Sequence, residues 1–141
     1  SSWALNRFLE TGVSQAASCH AMEHELSAFY DITHGLGLAI LTPRWMEYIL
    51  DESTAPQFKK FGVNVFGIDE SLSDMEGAKR AIEVLSDFFF NTLGLQSTLS
   101  EIGIDDKNFK LMAQKACRGG VLKGYKHLTP QDVENIFRMC L

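Results

Sequence analysis

His20, His24 and His34 are three of the chain's four histidines, and all fall in one short run, CHAMEHELSAFYDITHG, from Cys19 to Gly35. Neutral imidazole is a good ligand for zinc or iron(II), and it can move a proton near neutral pH. His20 and His24 stand four positions apart. On a helix that spacing puts both on one face, one turn apart. His34 would point away from that face on an unbroken helix. A break at DITHGLG, Asp31 to Gly37, lets a following helix fold back and aim His34 at the same point. Adjacent helices of a bundle build half-sites for metals in this way. Two imidazoles remain too few, because zinc sites take three or more protein ligands. Glu23, Glu25 and Asp31 are candidate additions. Glu23 and Glu25 flank His24, however, and are expected to point elsewhere on the helix. HELSA is not an H-E-x-x-H match, because position 28 is Ala, which excludes a zincin. Cys19 reads as a small helix residue, not a ligand. The competing reading makes all three histidines ordinary helix-surface residues. A third histidine beside Gly-x-Gly at a helix junction argues against it.

The elements that must position these residues are helices. Val13 to about Tyr30 reads as one long helix with Ser14 as N-cap, preceded by a short helical stretch over residues 1–10. After the break, Leu38 to Leu50 reads as a helix interrupted by Pro43. A helix over about 56–66 starts near Pro56. The clearest amphipathic pattern is 74–93, with Asp74 as a cap, Gly94 as the stop, and Phe88, Phe89 and Phe90 deeply packed. One turn begins at Thr98 or Ser100, and Asp105 starts a helix reaching Cys117. The last helix has Thr129 as N-cap, Pro130 at its first position and Val133, Ile136 and Phe137 as its apolar stripe. No stretch has the period-2 alternation of a strand, so the fold class is all-α, a helical bundle with antiparallel neighbours. The 141 residues suit a single domain, 1–141.

Composition narrows the function classes. The chain is 45% hydrophobic and 22% charged, with net charge −5 from thirteen basic and eighteen acidic residues. A nucleic-acid partner would leave a basic footprint, which is lacking. No apolar run approaches the ~20 residues of a membrane span, and the start has no signal-peptide pattern. Three cysteines, Cys19, Cys117 and Cys140, without a repeated spacing read as reduced thiols of a cytoplasmic protein. The chain opens on SSWALNRFLE, without Met and already helix-like, so it reads as a fragment or processed product of a longer protein.

The stretch HAMEHELSAFYDITHGLGLAILTPRWMEY resembles the C-terminal signature of the iron-containing alcohol dehydrogenases, and is most similar to the NADPH-dependent butanol dehydrogenase and aldehyde reductase branch. The likeness continues through FKKFGVNVFGI, LGLQSTLSEIGIDDKNFKLMAQKA and LTPQDVENIFRMCL. The resemblance implies the all-α C-terminal domain shared with dehydroquinate synthase-like proteins. It implies that His20 and His34 are metal ligands and that His24 lies beside the nicotinamide, in a catalytic or cofactor-orienting role. The implied cofactors are a divalent metal, Fe2+ or Zn2+, and NAD(P), and the implied substrate is a small alcohol or aldehyde.

Phe29 and Tyr30 are allowed near the substrate pocket, with packing between helices as the alternative. Trp45, Met46 and Tyr48 read as core or interface, and His127 as a loop residue outside the site. The family's N-terminal nucleotide-binding domain, and its Asp and His ligands on an earlier helix, have no counterpart in this chain. The chain alone is therefore expected to be inactive and to need that missing domain as its partner. Surface left bare by the missing domain is expected to drive homo-oligomer formation, a dimer for example. Two rival readings are a glycerol-dehydrogenase-like or dehydroquinate-synthase-like metal enzyme domain, and a non-enzymatic helical dimerisation module.

Overall fold

The computed structural model describes residues 17–123 and 126–141. Its elements are α1 (Ala17–Tyr30), α2 (His34–Ile49), α3 (Ala55–Phe66), α4 (Asp74–Asp87), a π-helical turn (Phe88–Thr92), a 3-10 turn (Ser100–Ile102), α5 (Phe109–Cys117) and α6 (Pro130–Met139). No strand occurs among the described residues; one isolated antiparallel bridge joins Leu122 and Leu128. The all-α expectation holds. The expected helix at 1–10 and the Ser14 cap lie outside the described residues.

α2 is the central element and packs against α1, α4 and α6. Its sequence explains this position. Gly37, Ala39, Ile40, Leu41, Pro43, Trp45, Met46 and Ile49 are all buried, so the helix is apolar around most of its girth. Met22 and Leu26 of α1, Phe109 and Met112 of α5, and Ile136 and Phe137 of α6 complete the interior, each 0% exposed. The Phe109 and Phe137 rings lie 5.5 Å apart, centre to centre. Trp45 and Met46 are core residues, as expected.

Several boundaries differ from the sequence reading. The break before α2 is confined to Asp31–Thr33, and the helix resumes at His34. Neither glycine makes the turn. Asp31 does, at φ 50°, a left-handed conformation that a short polar residue tolerates.

Pro43 does not interrupt α2. A proline ring takes away one amide donor and crowds the preceding carbonyls. Side chains supply donors nearby: Thr42 Oγ1 donates to the Leu38 carbonyl at 2.6 Å and Arg44 Nη1 to the Ile40 carbonyl at 3.1 Å.

Ser73, not Asp74, caps α4, its hydroxyl accepting from the Glu76 amide at 3.3 Å. Asp74 sits in the first turn, where a carboxylate favours the helix dipole. Phe88–Phe90 are not deeply packed. They lie in the π turn, where Phe88 is 38% exposed and Phe89 and Phe90 are only partly buried against the core. Asp105 does not start α5. Its side chain accepts from the Lys107 amide at 3.2 Å in a local turn, and the helix begins at Phe109. Thr129, Pro130 and the Val133/Ile136/Phe137 stripe of α6 are as expected, with Asp132 closing a capping box.

Candidate metal site at the first helix corner

On α1, Glu23, His24 and Ser27 lie three, four and seven residues after His20, which is one face of a helix. The tight Asp31–Thr33 turn sends α2 back along that face, and His34 is its first residue. The three histidines meet there. The His34 ring centre lies 5.3 Å from that of His20 and 5.5 Å from that of His24. His20 is half-buried and His24 is exposed.

Beneath this cluster is a carboxylate. Glu23 is 0% exposed, whereas the His34 side chain is 47% exposed. Glu23 Oε2 accepts from His34 Nδ1, and Glu23 Oε1 accepts from the Ser27 hydroxyl. The Ser27 carbonyl accepts from the Asp31 amide at 3.0 Å, which ties the turn to α1.

The expectation that Glu23 points away from the histidines is therefore incorrect. Its offset of three residues from His20 and four from Ser27 places it between them on the same face. That spacing was readable in the sequence; the missing signal was the small residue opposite. A Cβ on Gly37 would lie 2.6 Å from Glu23 Cγ and 2.8 Å from Oε1. Only glycine at that position of α2 leaves room for the carboxylate. Glu25 is half-buried and Asp31 is exposed and occupied with the turn.

The donor set fits a divalent ion in part. Two imidazoles that share one ion tetrahedrally at Zn–N distances of about 2.0–2.1 Å have ring centres roughly 5 Å apart. Both histidine pairs are near that separation. With His34 Nδ1 engaged by Glu23, its Nε2 is the atom left to bind. Among the described residues, no three His, Cys, Asp or Glu side chains are disposed to hold an ion together. The corner is thus half of a site. Cys19 does not add to it. Burial pushes its thiol up to about 12, so it offers no thiolate.

Residues 9–141 match the Fe-containing alcohol dehydrogenase family, C-terminal. The chain belongs to the iron-containing alcohol dehydrogenase family. Over 140 residues it is 48% identical to NADH-dependent butanol dehydrogenase A of Clostridium acetobutylicum, covering 98% of this chain and 36% of that protein. Among solved structures, a 1,3-propanediol oxidoreductase superposes with TM-score 0.78 at 26% identity, over 88% of this chain and 32% of that one. An NADH-dependent butanol dehydrogenase A from Thermotoga maritima superposes with TM-score 0.74 at 29% identity, over 87% of this chain and 32% of that one. The chain spans little more than a third of the length of the curated relative.

Tyr30 and Phe29 pack α1 toward α5. The Tyr30 hydroxyl accepts from Asn108 Nδ2 at 3.2 Å, and Lys115 Nζ lies 4.9 Å from the centre of the Phe29 ring. The Tyr48 hydroxyl donates to Asp132 Oδ1 at 2.7 Å, joining α2 to the start of α6. His127 is exposed in the segment before α6. No helix among the described residues is long and apolar enough to cross a membrane.

Proposed function

We propose that this chain is the helical, metal-binding part of an NAD(P)-dependent alcohol dehydrogenase or aldehyde reductase. It supplies His20 and His34 to a divalent metal and presents His24 to the nicotinamide. The single observation that carries this reading is the meeting of three imidazoles at the α1–α2 corner, with His34 held from below by a buried carboxylate. When bound, the metal supplies Lewis-acid polarisation of the substrate oxygen. The nicotinamide brings the hydride, and protein groups orient it.

The chain's own residues do the positioning. His20 and His34 hold their rings 5.3 Å apart at the corner, centre to centre. His24, exposed one turn from His20, is free to face a cofactor and to pass the hydroxyl proton toward water. The remaining ligands and the nucleotide-binding fold belong to the part of the family chain outside the matched segment. NADH replaces the NADPH that the branch resemblance implied, because the relative at 48% identity is named NADH-dependent. Two imidazoles suit iron and zinc alike, and supply decides between them. A cytoplasmic, dimeric parent is the accompanying expectation.

The test uses the full-length protein. Its metal content is measured for the parent and for His20→Ala, His34→Ala and His24→Ala, alongside alcohol and aldehyde turnover with each nicotinamide. The two ligand changes should abolish tight binding and turnover. The His24 change should keep the metal and lower the rate. Unchanged metal content in both ligand variants, or NADPH-driven aldehyde reduction that needs no divalent metal, rejects the proposal.

A further inference from the structure

We propose that Glu23 is a positioning residue for His34: its buried carboxylate holds the imidazole in the Nδ1–H tautomer and so turns the Nε2 lone pair outward. What Nε2 then binds rests on the metal reading above; the tautomer itself does not.

The hydrogen-bond inventory carries the first step. A carboxylate only accepts. Oε1 takes the Ser27 hydroxyl and Oε2 faces Nδ1, so with Glu23 ionised the hydrogen between Oε2 and His34 sits on Nδ1. Imidazole free in water favours the proton on Nε2, so the neighbouring carboxylate has to impose the other form. A metal-ligating histidine commonly donates its second ring N–H to a carboxylate, which fixes both tautomer and ring orientation.

Burial carries the second step. Glu23 is 0% exposed, between Met22 and the 0% exposed Leu26 one turn on. A carboxylate there is unfavourable unless fully hydrogen-bonded, and an apolar residue of similar size would pack at least as well. Packing therefore gives no reason for Glu23; holding the ring above it does.

Gly37 carries the third step. Its backbone is helical, so no unusual φ calls for glycine, and glycine weakens a helix interior. What its missing side chain leaves is the space filled by Glu23 Cγ and Oε1. The helix is weakened locally at the one place where the carboxylate must pass.

The test reads the tautomer directly. Long-range 1H–15N spectra of the labelled 141-residue chain, recorded above the imidazole titration range, report which ring nitrogen of His34 is protonated. The expected result is Nδ1–H in the wild type, a shift to Nε2–H in Glu23→Ala, and retention of Nδ1–H in Glu23→Gln, whose amide oxygen still accepts. A predominant Nε2–H form in the wild type overturns the inference without any variant. So does an unchanged tautomer in Glu23→Ala. If Glu23→Ala does not fold, Gly37→Ala displaces the carboxylate with both histidines intact and should give the same shift.

In the full-length protein, zinc titration should show affinity lowered about 10- to 100-fold in Glu23→Ala and less in Glu23→Gln. Unchanged affinity in Glu23→Ala, with binding lost in His34→Ala, overturns the positioning role. Unchanged affinity in His34→Ala rejects the metal reading instead, and the tautomer is then decided by the spectra alone.

Discussion

The α1–α2 and α3–α4 hairpins use the same backbone device for opposite ends. In each, a helical glycine lets a neighbour approach to where a Cβ would stand. On α3, Gly62 admits Ala81 of α4 and Ile68, both 2.6 Å from the position of an added Cβ. On α4, Gly77 admits the aliphatic stem of Lys59, at 2.5 Å. These contacts are apolar and their yield is packing. On α2, Gly37 admits the carboxylate of Glu23, beneath a half-exposed histidine. The α3–α4 pair is what a bundle needs to stand. The α1–α2 pair adds a buried charge that a bundle does not need, and that difference separates site from scaffold.

The comparison can be broken or sharpened by substitution. The largest expected effect is at the site: in the full-length protein, His34→Ala should reduce bound metal by orders of magnitude, while the stability of this domain should fall by about 1–3 kcal/mol because the buried Glu23 carboxylate loses its partner. A denaturant titration showing no loss of stability would mean that the buried Glu23 carboxylate does not depend on the His34 ring.

Gly62→Ala should lower stability and leave the site unchanged. Ala81 Cβ is fixed to its backbone, so the helices must move apart, at a cost of about 1–3 kcal/mol. The His34 tautomer should not change. A moved His34 spectrum would show that the two hairpins are coupled.

Gly37→Ala should affect both properties at an intermediate level. Folding should lose about 1 kcal/mol or less, since the gain in helix propensity partly offsets the crowding, and metal affinity should fall about tenfold. Loss of stability with unchanged affinity would reduce Gly37 to a packing residue.

Gly77→Ala should be the mildest. The Lys59 stem is flexible and can swing aside, and Ala favours the helix by about 0.8–1.0 kcal/mol. Thermal unfolding should change by no more than that amount in either direction. A large loss would mean that Lys59, 3.8 Å from Asp74, is locked in place.

How far each region could be read in advance follows from how local its determinants are. α6 was legible almost to the residue, because Thr129, Pro130 and Asp132 act on amides within one turn. Pro56 marked the start of α3 for the same reason. The π turn at Phe88–Thr92 was not legible, because a run of phenylalanines fits an α-helix equally well and only packing selects the wider turn. Pro43 was misjudged because a proline weakens a helix without ending it where buried packing on both sides holds the helix together. At the site, His20 and His24 were visible as a helical pair. The redirection of His34 was visible as a break, although Asp31 makes the turn and the glycines do not.

By itself the sequence determined the helical class, the cap of α6, the shared face of His20 and His24, and the family signature. Each depends on residues a few positions apart, or on a pattern carried whole along the chain. The tertiary structure alone decided that Glu23 turns inward and that Gly37 makes room for it. It also decided which His34 nitrogen is left to face outward. Those outcomes depend on two helices meeting face to face, where one missing Cβ on α2 fixes the place of a carboxylate on α1.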